Sequence, residues 1–257
     1  MGPGTGVRTP GGTAVVNATT YEGFPGAVGV SRLSVYDWPT VDGLSGGGTP
    51  HLHLTCTEGY VVTSGRGAVQ TLTTSGYRET PLERGTVAWF TPGTIHRLVN
   101  AGGLEITVVM QNSGLPEAGD AVLTLPPDRL ADPATYAEAV RIPADLPEAE
   151  QARIARVRRD LATRRFLELR AADEAGDPAP LAAFQRAAAA LVRPRLEDWQ
   201  RRWEEGARAA AETTAAQLEA LRGHDEQHLT RALVASTGPT AHGRFGMCGR
   251  LAVYQGI

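Results

Sequence analysis

Two histidines one residue apart, His51 and His53 in the stretch TPHLHLTCTEGY, are followed five positions on by Glu58, and a third, His96, opens the segment HRLVN after a Pro-Gly turn. In an extended chain alternate residues project from one face, so the rings of His51 and His53 point together. Buried without partners, such a pair forces polar nitrogens out of water. A divalent cation relieves this by taking one lone pair from each ring. Glu58 joins the same face if LTCTE bends before the strand GYVVTS begins, and His96 has the position of a ligand returning to one cavity. Three neutral imidazoles and one carboxylate around a 2+ ion leave a net charge of about +1 and, for an octahedral metal, two open positions. Such a site takes an anionic or chelating substrate and dioxygen as well, unlike structural zinc, which four ligands close.

Tyr60 follows Glu58 by two and shares its inward face, which makes its phenol the candidate catalytic donor or proton relay, with packing in the barrel wall as the competing role. Arg97 adjoins His96 and by parity points outward, so it is not assigned to substrate. Cys56 lies between two candidate ligands, and its simplest reading is a loop or core thiol. GLSGG at 43–47 matches a nucleophile-elbow pattern but runs straight into PHLHL instead of a helix. His224 and His228 sit four apart beside Gly223, at the surface end of a helix.

These side chains need a scaffold, and its composition is unusual. All 25 basic residues of the 257 are arginines. Without lysine there is no Schiff base, no pyridoxal-phosphate enzyme and no lysine-bearing phosphate loop. A formal charge of −3 gives no field for nucleic acid or an anionic membrane. The arginines between 153 and 170 alternate with acids along a solvated helix face, so no nucleic-acid partner is expected. Two cysteines and an N-terminus without an apolar core of signal length give the expectation of a cytoplasmic protein with free thiols. No stretch approaches the roughly 18–20 apolar residues that span a bilayer.

From Ala27 to Gln111, short runs rich in Val, Thr, Tyr, Leu and Ile read as about seven strands, broken at SGRG, TSGY, ERG, PGT and AGG. Prolines then accumulate to Pro147, with one short helix at DPATYAEAV. Beyond it three helical stripes follow: Ile154, Val157 and Leu161; Leu181, Phe184, Leu191 and Val192; Leu196, Trp199, Trp203, Ala210, Leu218 and Leu221. The expected organisation is a flexible arm over 1–24, a β-barrel over 25–118, a proline-rich linker over 119–146, a helical region over 147–236 and a tail over 237–257 with strand character near its end.

The same residues resemble the cupins. Their first motif, G-x5-H-x-H-x(3,4)-E-x6-G, is matched by His51, His53, Glu58 and Gly65, with the leading glycine one place late at Gly46. Their second, G-x5-P-x-G-x2-H-x3-N, is matched by Gly85, Gly93, His96 and Asn100, with Thr91 in place of the first proline. The resemblance covers roughly residues 25–115. It implies an antiparallel jelly-roll barrel with one divalent ion (Fe, Mn, Ni or Zn) held by His51, His53, Glu58 and His96, and a homodimer.

Three functions fit: an Fe(II)-type oxygenase of a small chelating substrate; a metal-dependent isomerase, epimerase or lyase working through an enediolate; and a non-catalytic metal or ligand module. Few titratable groups besides the ligands face inward, which tilts the choice to the oxygenase, since enediolate chemistry needs a base beside the substrate carbon.

Overall fold

The computed structural model describes residues 23–239 and 244–254. The expected arm over 1–24 therefore lies almost wholly outside the described residues, as does part of the tail.

Nine antiparallel strands are described: β1 (Gly29–Val35), β2 (His51–His53), β3 (Glu58–Thr73), β4 (Gly76–Glu83), β5 (Val87–Phe90), β6 (Ile95–Met110), β7 (Ala121–Leu123), β8 (Arg244–Phe245) and β9 (Gly249–Val253). Their order is β4-β3-β6-β1-β9-β8, with β2 pairing both β6 and β7, and β5 pairing β3. The chain is thus an antiparallel β-barrel followed by helices. Its long strands differ in one respect from the sequence pattern. GYVVTS and GAVQTLT are one strand, β3, and HRLVN and LEITVVMQ are one strand, β6, because SGRG and AGG are not turns. They face each other as paired irregularities, where the β3–β6 register shifts between Val62 and Gly67. Gly65 has φ +71°, and a Cβ there would collide with the Gly103 carbonyl. Both strands bend at this corner without parting, as bulges allow. GYRETPLE, lying between the breaks TSGY and ERG and assigned to no strand from the sequence, is β4. It sits at the end of the sheet order, where Pro81 and its missing N–H are tolerated.

The proline-rich stretch is more than a connection. It opens with β7, whose Ala121 pairs His53 and whose Leu123 pairs His51, and it carries helix α1 (Pro133–Val140), capped by the Asp132 carboxylate on the Ala134 and Thr135 amides. The tail also enters the sheet, as Leu33 pairs Leu251 between β1 and β9.

Four further helices follow: α2 (Glu148–Glu174), α3 (Ala179–Val192), α4 (Leu196–Trp203) and α5 (Ala209–Arg222), the last two joined by a wider turn at Glu204–Arg208. The α3 stripe is buried at Leu181, Phe184, Leu191 and Val192. The α2 stripe is not the one expected. Val157 is 57% exposed, and the buried face is Ala155, Arg159, Ala162, Thr163, Phe166 and Leu169. Alanines let this helix lie close, while Phe166 and Leu169 supply the apolar area. In the third stripe only Trp199 is buried; Trp203, Leu218 and Leu221 are exposed. Barrel residues such as Leu52, Leu98 and Ile106 and helix residues such as Phe166, Phe184 and Trp199 form one continuous core. The guanidinium of Arg159, buried on α2, donates to the carbonyls of Trp38 at 3.0 Å and Pro39 at 2.7 Å, fastening the loop after β1 to the helices. No described helix is long and apolar enough to cross a membrane.

Candidate metal centre

Inside the barrel, β2 presents His51 and His53, the first residue of β3 is Glu58, and β6 presents His96 directly opposite His51. The bend over Leu54–Thr57 resets the alternation, so Glu58, Tyr60 and Val62 all point inward. One donor atom from each of His51, His53, Glu58 and His96 lies within 4.8 Å of the others. Nε2 of His51 and His96 are 3.0 Å apart. Oε2 of Glu58 is 3.2 Å from Nε2 of His53 and 3.0 Å from Nε2 of His96. All four residues are buried, at 2%, 5%, 6% and 0% exposure in chain order.

The outer nitrogens decide what the inner ones offer. Nδ1 of His51 lies 2.8 Å from the Thr49 carbonyl and Nδ1 of His96 lies 3.2 Å from the Thr94 carbonyl. A carbonyl only accepts, so both Nδ1 atoms carry the proton and donate it. Their Nε2 lone pairs then face each other across 3.0 Å, which is repulsive unless a cation or proton lies between them. Oε2 of Glu58, despite its two close ring nitrogens, has no hydrogen bond of acceptable geometry. The four donor atoms are thus gathered in one small enclosed space. These residues could hold a divalent ion, and the donor set suits one.

Asp120 completes the surroundings and was not legible as a site residue. Its Oδ2 accepts from Nδ1 of His53 at 2.9 Å. Sequence offered no signal, because Asp120 stands in the proline-rich stretch, 67 positions from His53.

Charge follows geometry. Burial opposes a positive His53, but the hydrogen bond to Asp120 and the charges of the Glu58 and Asp120 carboxylates outweigh it and raise its pKa to about 9. Burial and the neighbouring His96 and His53 hold His51 neutral, well below the usual range. Glu58 stays ionised despite its burial because His96 and His53 stabilise the carboxylate. Asp120 is likewise lowered, burial being outweighed by the His53 and Thr55 hydrogen bonds.

Tyr60 is fully buried, 6.4 Å between ring centres from His96, with Phe90 tilted against the same histidine at 4.1 Å between centres. Burial and the Glu58 charge push its phenol well up, and its hydroxyl has no hydrogen-bond partner among the described residues. Arg97 is fully buried on the strand face opposite His96 and is gripped by Asp42 through two bonds of 2.7 and 2.8 Å. Asn100 is structural, its amide bonding Val35, Gly102 and Leu104. Ser45 of GLSGG donates to the Asn100 carbonyl in a loop, and His224 is exposed. Cys56 and Cys248 are free and buried, and Cys56 is not one of the four converging donors.

No family model matches the sequence, and no curated protein matches it. Solved structures similar to the chain are double-stranded β-helix proteins of the cupin type. They include QdtA, a sugar 3,4-ketoisomerase from Thermoanaerobacterium thermosaccharolyticum in complex with TDP, at 12% identity over 36% of this chain and 64% of that one, TM-score 0.30. CapF, a capsular polysaccharide assembling protein of Staphylococcus aureus, matches at 20% identity over 37% and 25%, TM-score 0.28. An uncharacterised double-stranded β-helix protein of Klebsiella pneumoniae matches at 21% identity over 33% and 64%, TM-score 0.24. The chain spans less than two thirds of the length of each. Its own two motifs, antiparallel barrel and enclosed donor cluster make it a protein of the cupin fold, with a helical region built onto the same core.

Proposed function

We propose that the chain is a metal-dependent enzyme acting on a small polar or chelating molecule, with His51, His53, Glu58 and His96 as ligands and an Fe(II)-type oxygenase reaction as the leading reading. When bound, the ion supplies a positive centre at which a chelating substrate and dioxygen meet. Donor spacing supports an octahedral ion: two bonds of about 2.1 Å at a right angle place their donors about 3.0 Å apart, against about 3.4 Å in a tetrahedron. The contacts of 3.0, 3.2 and 3.0 Å fall nearer the first.

The observation that carries the choice of reaction is the lack, among the described residues bordering the cluster, of a free base at neutral pH. The Tyr60 phenol and the Cys248 thiol are both pushed up by burial and by the Glu58 charge, and Asp120 is occupied by four donors. An enediolate route needs a base beside the substrate carbon; an oxygenase does not. The neutral, unpartnered Tyr60 hydroxyl suits a donor to a bound substrate oxygen.

Protein purified without oxygen should contain about one divalent ion per chain. With Fe(II) it should consume dioxygen only when a chelating substrate is added. Deuterium exchange into a sugar or hydroxy acid without oxygen uptake would transfer the assignment to the isomerase, and metal without any turnover to a binding module.

The proposal includes a cytoplasmic homodimer. Its support is the apolar outer face of β3 and β5, where Val61, Val87 and Trp89 are 37%, 58% and 70% exposed. Light scattering on the purified chain should give twice the monomer mass, and Trp89→Glu should return it to monomer; a wild-type monomer rejects the dimer.

A further inference from the structure

We infer that Asp120 is a positioning residue that fixes which nitrogen of His53 faces the metal, an inference that rests on the metal reading above. The carboxylate is fully buried. Its Oδ1 takes three donors, the amides of Leu54 at 3.2 Å and Thr55 at 2.8 Å and the Thr55 hydroxyl at 2.7 Å. With Oδ1 pinned, the group cannot rotate, and Oδ2 is held toward Nδ1 of His53.

An acceptor at that point has a definite consequence. A bound His53 must donate its Nε2 lone pair to the ion, so its remaining proton belongs on Nδ1, where Oδ2 accepts it. His51 and His96 achieve the same state with backbone carbonyls, which no side-chain substitution removes. Only His53 depends on a side chain.

The helical region grips the turn that delivers this carboxylate. Nη1 of Arg195 and Nε1 of Trp199, before and within α4, donate to the Ala118 carbonyl at 3.2 and 3.3 Å. Gly119, at φ +91°, leaves room for the guanidinium, since a Cβ there would overlap it. The Asp120 amide then bonds the Leu115 carbonyl, and its own carbonyl accepts from Leu54. Helices and metal ligand are therefore linked through one five-residue turn.

Asp120→Asn is a sharp test because the amide is isosteric. Its oxygen keeps the three Oδ1 donors, which turns the NH2 group toward His53. Two donors then oppose each other unless His53 moves its proton to Nε2, and that removes a ligand. Affinity for Mn(II) or Zn(II) alone, measured by competition with a chromophoric chelator, should fall at least about 10–100-fold, with a cooperative thermal transition retained. In a His53→Ala background the same change should have less than about a twofold further effect, because Asp120 acts through that ring. In zinc-loaded wild type, nitrogen-edited NMR should find an Nδ1 proton on His53 downfield of those on His51 and His96, its acceptor being a carboxylate.

Wild-type affinity in Asp120→Asn, an equal loss in the His53→Ala background, or no His53 Nδ1 proton would overturn the inference while leaving the metal centre intact. Failure of the wild type to bind any ion is the separate result that removes the metal reading itself.

Discussion

His96→Ala is expected to weaken divalent-metal binding by more than about 100-fold, beyond the loss from a supporting residue. His96 stands at the middle of the cluster, its Nε2 being 3.0 Å from both Nε2 of His51 and Oε2 of Glu58. A ligand that binds only the folded state stabilises it by about 4 kcal/mol at a thousandfold excess over Kd, which for a chain of this size raises Tm on the order of 10 °C. That shift should appear on adding Mn(II) or Fe(II) to metal-free wild type, vanish with a chelator and be missing in His96→Ala. A cooperative thermal transition in metal-free His96→Ala is the control that the barrel still folds without this ring, whose centre lies 4.1 Å from that of Phe90. A full metal-induced shift in His96→Ala would mean that this histidine is no ligand.

Metal binding should also release protons, with His53 contributing about one per ion at pH 7. Held between Asp120 and Glu58, this ring stays charged up to about pH 9 in the metal-free protein, yet its Nε2 must be bare to bind an ion. Apparent affinity should therefore rise about tenfold per pH unit up to about 9 and then level off. Calorimetry in two buffers of different ionisation enthalpy reads the proton count directly, and heats identical in both would refute the charged His53.

Stability of the metal-free protein runs the other way over this range. The folded pKa of His53 lies above the unfolded value of about 6.5, so its contribution is complete below 6.5 and disappears as pH climbs to about 9. His51 is held neutral, so the fold loses stability as pH falls below about 6.5 and unfolded chains take up the proton. Glu58 and Asp120, both lowered, stabilise above roughly pH 4–5 and lose that contribution on further acidification. Metal-free stability should peak near pH 6–7, whereas metal-loaded stability should hold level from about pH 7 to 9, because the gain in metal affinity offsets the loss at His53.

Much of this centre could be read along the chain because its parts are locally encoded. One-residue spacing in His-Leu-His forces two rings to one face of any strand, and Glu58 with Tyr60 shares a face by the same rule. The runs of Val, Thr and Ile with glycine between them indicated β structure, and alternation within each run indicated the inner face. Corner glycines misled, because a Ser-Gly-Arg-Gly stretch satisfies both a hairpin turn and a pair of bulges, and the difference lies in what the partner strand does opposite it. Helix α2 misled for a related reason: its apolar residues are too sparse to define one face, and burial was settled by where alanines permit close approach.

The donor types, their spacing and the β class were thus determined by the sequence itself, since each follows from backbone periodicity within about ten residues. Only the tertiary structure decided that Asp120 supports His53 from 67 positions away, that Cys248 and β9 return to β1, and that Trp199 holds the turn before β7. Contacts of that reach depend on how the barrel closes and where the helices settle on it, and no local pattern records either.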